Sequence, residues 1–275
     1  MDKELKTETS AENYGLPNGK FYGYQFYNYM DLRKEPINLL WSGGWDSTFR
    51  LLQQLVVEQR IVKPYYMIDP SRKSMPIEMD TIDKLRFHII QRYPHLEIQL
   101  LPTEYFHIED IVPDPAIFNA WEKIKDDRHI GAQYKWLASY CKQNELFEIE
   151  LSLDKSTNQK NFTDTLTYHL GQEQISTTDQ IIFKYFSLPL LGTSKKEMEA
   201  IADEYDWLDI LKMTWFCHRP VRLPFLEPVP CGGCNPCLFT IEEGFGHRVP
   251  VYSRIFGRLA KKIYNFSFYK KFLRP

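Results

Sequence analysis

The sequence lacks any long hydrophobic run. No uninterrupted apolar stretch approaches the roughly 18 residues that a membrane-spanning helix needs, so we expect no membrane span. The first residues, MDKELKTETSAEN, are charged and polar and lack the apolar core of a secretory signal. We therefore expect a cytoplasmic protein. With 43% hydrophobic and 25% charged residues in a chain of 275, it is expected to fold around a sizeable core.

Cysteine is scarce outside one short segment. Four of the five cysteines lie between residues 217 and 237, and in a reducing compartment such a cluster favours a metal over disulfides. The spacing is C-x13-C-x2-C-x2-C, and two-residue gaps let thiolates converge on one ion at about 2.3 Å. The predicted ligands of a structural Zn²⁺ are Cys217, Cys231, Cys234 and Cys237. An iron–sulfur cluster stays an alternative, because C-x2-C-x2-C also begins a ferredoxin run.

Acidic residues are absent from the last part of the chain. From Gly244 to Pro275 there are eight Lys or Arg and no Asp or Glu. Apolar residues recur at helical spacing over 252–272 with basic residues opposite, which predicts a basic amphipathic helix. We expect this helix to dock on its own domain or across a homodimer. The alternative partners are a nucleic acid, an anionic membrane surface or a protein substrate.

Strand and helix patterns alternate from Ile37 onward. Short apolar runs predict strands at 37–41, 62–69, 97–101 and 147–153. Helices are predicted after residue 45, over about 77–92 and 131–144, and from a Ser194 capping box to about Tyr205. Residues 155–185 are polar and irregular, which indicates an insertion or short helices. Strands spaced by helices predict an α/β fold with a parallel sheet.

The glycine loop, WSGGWDST at residues 41–48, matches neither G-x-x-x-x-G-K-[ST] nor G-x-G-x-x-G. A strand that runs into Ser-Gly-Gly and then a helix presents main-chain N–H groups and a positive helix end, so it can bind an anion. The predicted phosphate-binding residues are Ser42, Gly43, Gly44, Trp45, Asp46, Ser47 and Thr48. The alternative is a tight strand-to-helix turn with a Ser or Asp cap.

The loop segment SGGWDS resembles the SGGxDS loop of the N-type ATP pyrophosphatases, the PP-loop superfamily. Combined with the late C…CGGCNPC, it is similar to the 7-cyano-7-deazaguanine synthase family. PL at 189–190 and SKKEM at 194–198 resemble that family's PL…TKxEI segment, so the resemblance covers roughly residues 37–240. It implies a Rossmann-like, adenine nucleotide alpha hydrolase-like five-stranded parallel sheet with flanking helices, and a C-terminal zinc-binding segment.

The resemblance also implies an activity. Such enzymes use ATP with Mg²⁺ to adenylate a deazapurine carboxylate, and ammonia then leads to an amide and a nitrile with release of AMP and pyrophosphate. It assigns catalysis to Ser42, Asp46, Ser47 and Lys195. The family's Arg-Asn pair is replaced here by DRHIG at 127–131, and we expect Arg128 still to reach pyrophosphate. For Lys195 and Arg128 the alternative is a solvated side chain without a ligand.

Two departures from the family concern its remaining motifs. Thr240 stands where the family has an arginine after its cysteines, and LDKSTN at 153–158 replaces the substrate motif GYPDC. The resemblance therefore supports the ATP chemistry more strongly than it supports the identity of the substrate. The alternatives are transfer of the activated deazapurine to a protein or nucleic acid, a tRNA-modifying sulfurtransferase, and a zinc-clasped nucleotide-binding module without turnover.

Four segments are predicted along the chain. They are a partly disordered N-terminal arm at 1–35, a PP-loop ATP-binding α/β domain at 36–210, a four-cysteine segment at 211–245 and the basic C-terminal helix at 246–275.

Overall fold

A computed structural model describes residues 35–127, 130–155, 177–222 and 227–257. The described part holds a five-stranded sheet in which every neighbouring pair of strands is parallel. The strands are β1 Ile37–Leu40, β2 Val62–Ile68, β3 Glu104–His107, β4 Ile149–Glu150 and β5 Phe186–Ser187. Their order across the sheet is β3-β2-β1-β4-β5, so β1 is the central strand. The α/β fold and the five-stranded parallel sheet are thus confirmed.

The predicted third strand is wrong. Its first residues belong to a 3₁₀ turn at Pro94–Ile98, and Leu100 makes only an isolated bridge to Val62. The strand that pairs with β2 on the side away from β1 is β3, where only Phe106 is buried. An edge strand that buries one residue in four has no apolar run in its sequence, whereas Ile98 in the predicted segment is 66% exposed.

Helices flank the sheet in the described ranges. They are α1 Trp45–Leu52, α2 Met75–Arg92, α3 Pro115–Asp127, α4 Gln133–Gln143, α5 Thr177–Phe183, α6 Lys195–Glu204, α7 Leu208–Lys212 and α8 Asn235–Thr240. The helices predicted from the sequence correspond to α1, α2, α4 and α6. The predicted capping box begins α6, because the Ser194 hydroxyl accepts from the Glu197 amide at 3.3 Å and Glu197 Oε2 accepts from the Ser194 amide at 2.7 Å.

Buried side chains of β2 alternate between the two faces of the sheet, as the two-residue period of a strand requires. Tyr66 and Ile68 belong to the core formed with α1, α2, α6 and α7. Tyr65 and Met67 pack instead with Phe106 and with residues of α4. Both faces of β2 are therefore covered, which explains its nearly continuous burial.

A buried ion pair joins α1 to β4. Arg50 Nε and Nη2 each donate to one carboxylate oxygen of Glu150 at 2.7 Å, and Gln54 Nε2 donates to the same carboxylate at 2.8 Å. The two charged side chains are 10% and 8% exposed. This pair fixes α1, the helix that follows the glycine loop, against β4, which lies next to β1 on the side away from β2.

Arg50→Met is expected to lower the free energy of unfolding by about 3 kcal/mol, because it leaves the buried charge of Glu150 without its cation. Urea unfolding measures the loss. The double variant Arg50→Met/Glu150→Met is expected to recover most of it, since an apolar pair has no charge to desolvate. A double variant as unstable as the single one would contradict this account.

The predicted segments are only partly covered by the described residues. The described residues, which begin at Glu35, belong to one compact unit, and the predicted arm at 1–35 lies outside them except for Glu35. Residues 251–257 are helical, whereas 258–275, which hold most of the predicted C-terminal helix, lie outside the described ranges. Within those ranges, no helix combines the length and the apolar character required to cross a membrane.

Candidate functional site

The glycine loop lies where the strand order changes direction. The chain forms β1, β2 and β3 towards one edge and then places β4 and β5 on the other side of β1. In parallel sheets, ligands bind outside the carboxyl ends of the strands at such a switch point, because the connections leave there in opposite directions. Ser42–Gly44 follows β1 and Asp154 follows β4, so both lie at this point.

Gly43 adopts a left-handed conformation, with φ +68°, that favours glycine. A Cβ there would also lie 3.2 Å from Ile82 Cγ1. The Gly43 carbonyl accepts from the Trp215 amide at 3.0 Å. Helix α1 begins two residues later, and the first N–H groups of a helix have no intrahelical acceptor. The loop therefore combines a tight turn with a positive helix end, which suits an anion.

The loop hydroxyls bond mainly within the loop. Ser42 Oγ and Ser47 Oγ lie 3.2 Å apart, and Ser47 Oγ accepts from the Ser42 amide at 3.3 Å. Thr48 is completely buried, and its hydroxyl accepts from the Trp41 indole N–H at 3.0 Å. The Trp45 side chain is also buried. The Thr48 and Trp45 side chains thus belong to the core, which does not support the predicted phosphate contact of the Thr48 hydroxyl.

Lys195 meets three carboxylates that come from separate parts of the chain. Its ammonium lies 2.9 Å from Asp154 Oδ2, 3.3 Å from Glu243 Oε2 and 3.6 Å from Asp46 Oδ1. The side chain is only 21% exposed, so it is not a solvated lysine at a helix start. The structure thus brings together two predicted site residues, Lys195 and Asp46, and adds Asp154 and Glu243, which sequence reasoning missed.

Burial raises the pKa of Asp46 to about 7, against the attraction of Lys195 and with the support of Asp154 and Glu243. Its Oδ1 is buried and has no hydrogen-bond partner, although the side chain keeps 25% exposure. Burial alone would lower the pKa of Lys195, but the carboxylates outweigh it and raise the pKa above its usual range. Near neutral pH, Asp46 is therefore poised between its two protonation states beside a charged lysine.

The raised pKa of Asp46 predicts a pH-dependent stability. The unfolded chain releases the Asp46 proton above its ordinary pKa of 3.8, whereas the folded protein keeps it up to a pKa of about 7. Protonated Asp46 therefore favours the folded state at low pH, and this contribution to stability is lost as the pH rises through about 7. Asp46→Asn cannot release a proton, so we expect its stability relative to the unsubstituted protein to rise by up to about 3 kcal/mol between pH 5 and about 7 and then to level off. Urea unfolding across that range measures the difference, and a constant difference would contradict the assignment.

Arg248 places a second cation beside the loop. Its guanidinium lies 5.2 Å from the Trp45 ring centroid and 4.9 Å from that of Phe216, and it donates to the Thr214 carbonyl at 2.5 Å. Burial lowers the pKa of Arg248 to about 10, and the charge of Asp46 opposes that effect. The guanidinium stays charged at neutral pH. Sequence reasoning placed Arg248 only among the basic residues of the tail, and no local spacing links it to the loop.

The four predicted metal ligands converge. Their Sγ atoms all lie within 4.8 Å of one another, and the separations include 3.4 Å, 3.8 Å and 4.0 Å. Four sulfurs held tetrahedrally at about 2.3 Å from one ion would lie about 3.8 Å apart. The cluster can therefore hold a metal ion, as the cysteine spacing predicts.

The turn between Cys231 and Cys234 positions two of the four sulfurs. Gly232 has φ +72°, and a Cβ there would lie 2.1 Å from the Ser253 carbonyl oxygen, so glycine is required. Cys231 Sγ accepts from the amides of Gly233 at 3.5 Å and Cys234 at 3.4 Å, which favours a thiolate. Cys234 caps α8 and Cys237 lies in its first turn, so the helix directs the last two sulfurs inward.

The four-cysteine segment contacts the glycine loop on both sides of the cluster. Before the cluster, the Trp215 amide bonds to Gly43. After it, Glu243 pairs with Lys195, and Phe245 packs on Trp45 with ring centroids 5.0 Å apart. The segment therefore supports the loop and the first turn of α1 from outside the sheet.

Comparisons with protein-family models, with curated proteins and with solved structures gave no match. The chain is therefore an α/β protein with a five-stranded parallel sheet. It also has four cysteines that can hold a metal ion. Arg128, predicted at the pyrophosphate, lies outside the described residues.

Proposed function

We propose that this protein is an ATP-dependent enzyme of the PP-loop type that adenylates a carboxylate. The observation that carries the proposal is the position of the SGGWDS loop, which follows the central strand at the switch point of the sheet. Lys195 and Arg248 place two cations beside its helix start. The strand order, with β1 in the centre, supports a Rossmann-like arrangement.

The loop would bind the triphosphate through main-chain N–H groups at the start of α1. As a carboxylate oxygen attacks the α-phosphorus and the bond to the β-phosphate oxygen breaks, negative charge accumulates on the departing pyrophosphate. Donors and cations fixed in place before the reaction stabilise that charge without a covalent protein intermediate. Lys195 lies beside Asp46 and Arg248 lies beside Trp45, so these two cations suit this role.

Asp46 fits a role with Mg²⁺. Its buried Oδ1 lacks a hydrogen-bond partner, and a carboxylate oxygen combined with nucleotide phosphate oxygens is the donor set that Mg²⁺ prefers. The ion would supply charge neutralisation to the phosphates. Lys195, which is shared among three carboxylates, would keep Asp46 in place and limit their mutual repulsion.

The proposed acceptor follows from the resemblance to the 7-cyano-7-deazaguanine synthase family. A deazapurine carboxylate would form an acyl adenylate, and ammonia would displace AMP and lose a proton to give an amide. A second ATP would adenylate the amide oxygen, and loss of AMP and a proton would leave a nitrile. No described side chain is required as a nucleophile in this sequence, so the protein acts by positioning and by stabilising charge.

We propose Zn²⁺ as the ion of the four-cysteine cluster. The sulfur separations fit a single tetrahedral ion better than a cluster of several irons, which would hold its ligands farther apart. Four thiolates leave no open coordination position, so the ion would be structural and would hold the segment against the glycine loop. This disfavours the sulfurtransferase alternative, which depends on iron.

The test is incubation with ATP, Mg²⁺, ammonia and 7-carboxy-7-deazaguanine, followed by AMP quantification and mass spectrometry of small molecules and protein. AMP, pyrophosphate and a nitrile product are expected. ATP binding without AMP formation from any carboxylate would favour a nucleotide-binding module instead. A deazapurine adduct on protein or nucleic acid would redirect the proposal towards macromolecular transfer.

A further inference from the structure

A cavity lined by polar residues lies at the start of α2. It has a volume of about 230 Å³, and its lining residues are Ser71, Arg72, Lys73, Ser74, His218 and Arg219. One wall is the connection from β2 to α2, and the other is the segment directly after Cys217. We propose that this cavity binds the oxyanion group, phosphate or carboxylate, of a small organic molecule.

Ser74 provides the most specific observation. It is completely buried, and its hydroxyl has no hydrogen-bond partner among the described residues. A buried hydroxyl without a partner is destabilising, and native proteins rarely retain one without a purpose. Ser74 precedes the first residue of α2, yet its side chain does not cap that helix. The hydroxyl therefore has no competing acceptor within the described residues, and Ser74 is one of the residues that line the cavity.

The main chain at the start of α2 offers few donors of its own. The Met75 amide donates to the Arg72 carbonyl at 3.1 Å, the Ile77 amide donates to the Ser74 carbonyl at 3.0 Å, and Pro76 has no N–H. Recognition at this end of α2 thus falls to side chains. The dipole of a helix of 18 residues adds a positive potential at the same place.

The cavity carries a surplus of positive charge. Arg72 pairs with Glu78 at 2.7 Å, and Glu78 also accepts from the Tyr66 hydroxyl at 2.7 Å, so this arginine is already neutralised. Lys73 and Arg219 have no ion pair within the described ranges, and they are exposed at the cavity. Two cations, an unsatisfied hydroxyl and a helix start form a donor set for an oxyanion.

The size of the cavity indicates more than a bare ion. A water molecule occupies about 30 Å³ in the liquid, so about 230 Å³ leaves room beyond one phosphate or carboxylate group. The second turn of α2 packs on Gly43, where a Cβ would contact Glu78 and Ile82. The cavity is therefore a neighbour of the glycine loop, and its proposed ligand does not depend on ATP.

Binding is tested with two probes, inorganic phosphate and benzoate, in the absence of nucleotide and at fixed ionic strength. The shift of the unfolding temperature with probe concentration gives the dissociation constant. We expect saturable binding of at least one probe, and the stronger one identifies whether the oxyanion is a phosphate or a carboxylate. No saturable binding of either probe would overturn the proposal.

Substitutions locate the binding site. The double variant Lys73→Gln/Arg219→Gln is expected to weaken binding at least about tenfold, while Lys123→Gln, which removes an exposed charge from α3, leaves it unchanged. Ser74→Ala is expected to weaken binding about threefold or more and yet to raise the unfolding temperature without probe, because it removes an unsatisfied hydroxyl. If Ser42→Ala abolished phosphate binding while the double variant retained it, the anion would belong to the glycine loop and the proposal would be wrong.

Discussion

Cys234→Ala is expected to abolish metal binding and to lower the free energy of unfolding by at least about 3 kcal/mol. Structural zinc sites contribute about 10 kcal/mol or more to folding at neutral pH, because the site exists only in the folded chain. Between Cys217 and Cys231, the described residues form no regular structure except one antiparallel bridge, Val221 with Val229. The segment therefore depends on the shared ion for its position.

Cys141→Ala is the matched control for this prediction. Cys141 is a buried free cysteine, but it belongs to α4 and packs in a core cluster that contains none of the other four cysteines. We expect this variant to keep one equivalent of metal by elemental analysis and to keep its sensitivity to a strong chelator. A Cys234→Ala protein with unchanged metal content or unchanged unfolding temperature would contradict a structural site.

Lys195→Gln is expected to lower the rate of AMP formation by about 100- to 1,000-fold, the range found when one fixed electrostatic donor is removed from an active site. The reason is geometric, since Lys195 is the cation that Asp46, Asp154 and Glu243 hold beside the first turn of α1. Initial rates at saturating ATP with the best carboxylate acceptor measure the effect.

Lys196→Gln is the control, because it removes the same charge from the next position of α6, where the side chain is exposed. We expect it to leave the rate unchanged. Loss of Lys195 also leaves three carboxylates without their cation, so each variant is checked for its unfolding temperature and for ATP binding. A folded Lys195→Gln protein with an unimpaired rate would remove this residue from the mechanism.

The local elements of the fold were predictable, whereas the edges of the sheet were not. α6 carries its start signal in four consecutive residues, Ser194 to Glu197, and the capping box forms as predicted. β3 and β5 bury too few residues to produce an apolar run, and β5 has only two residues. Pairing with a neighbouring strand creates such edge strands, and their own sequence contains little of that information.

Within the site, residues that are close in sequence were predictable, whereas residues that are close only in space were not. The glycine loop and the C-x2-C-x2-C turn are defined by short spacings, and both were predicted as single units. Asp154, Glu243 and Arg248 carry no motif, and they join Asp46 and Lys195 only because four separate segments meet there.

The alternation of strand and helix patterns predicted the α/β class, and backbone geometry over a few residues predicted the turns at Gly43 and between Cys231 and Cys237. The cysteine spacing also predicted that Cys217 joins them, although packing across a gap of 13 residues brings it there. The burial of Thr48 in the core became evident only from the packing of the folded chain. The same packing places Lys195 among three carboxylates and Arg248 against Trp45. The physical reason is that charge and burial depend on which distant segments pack together, and no local spacing contains that information.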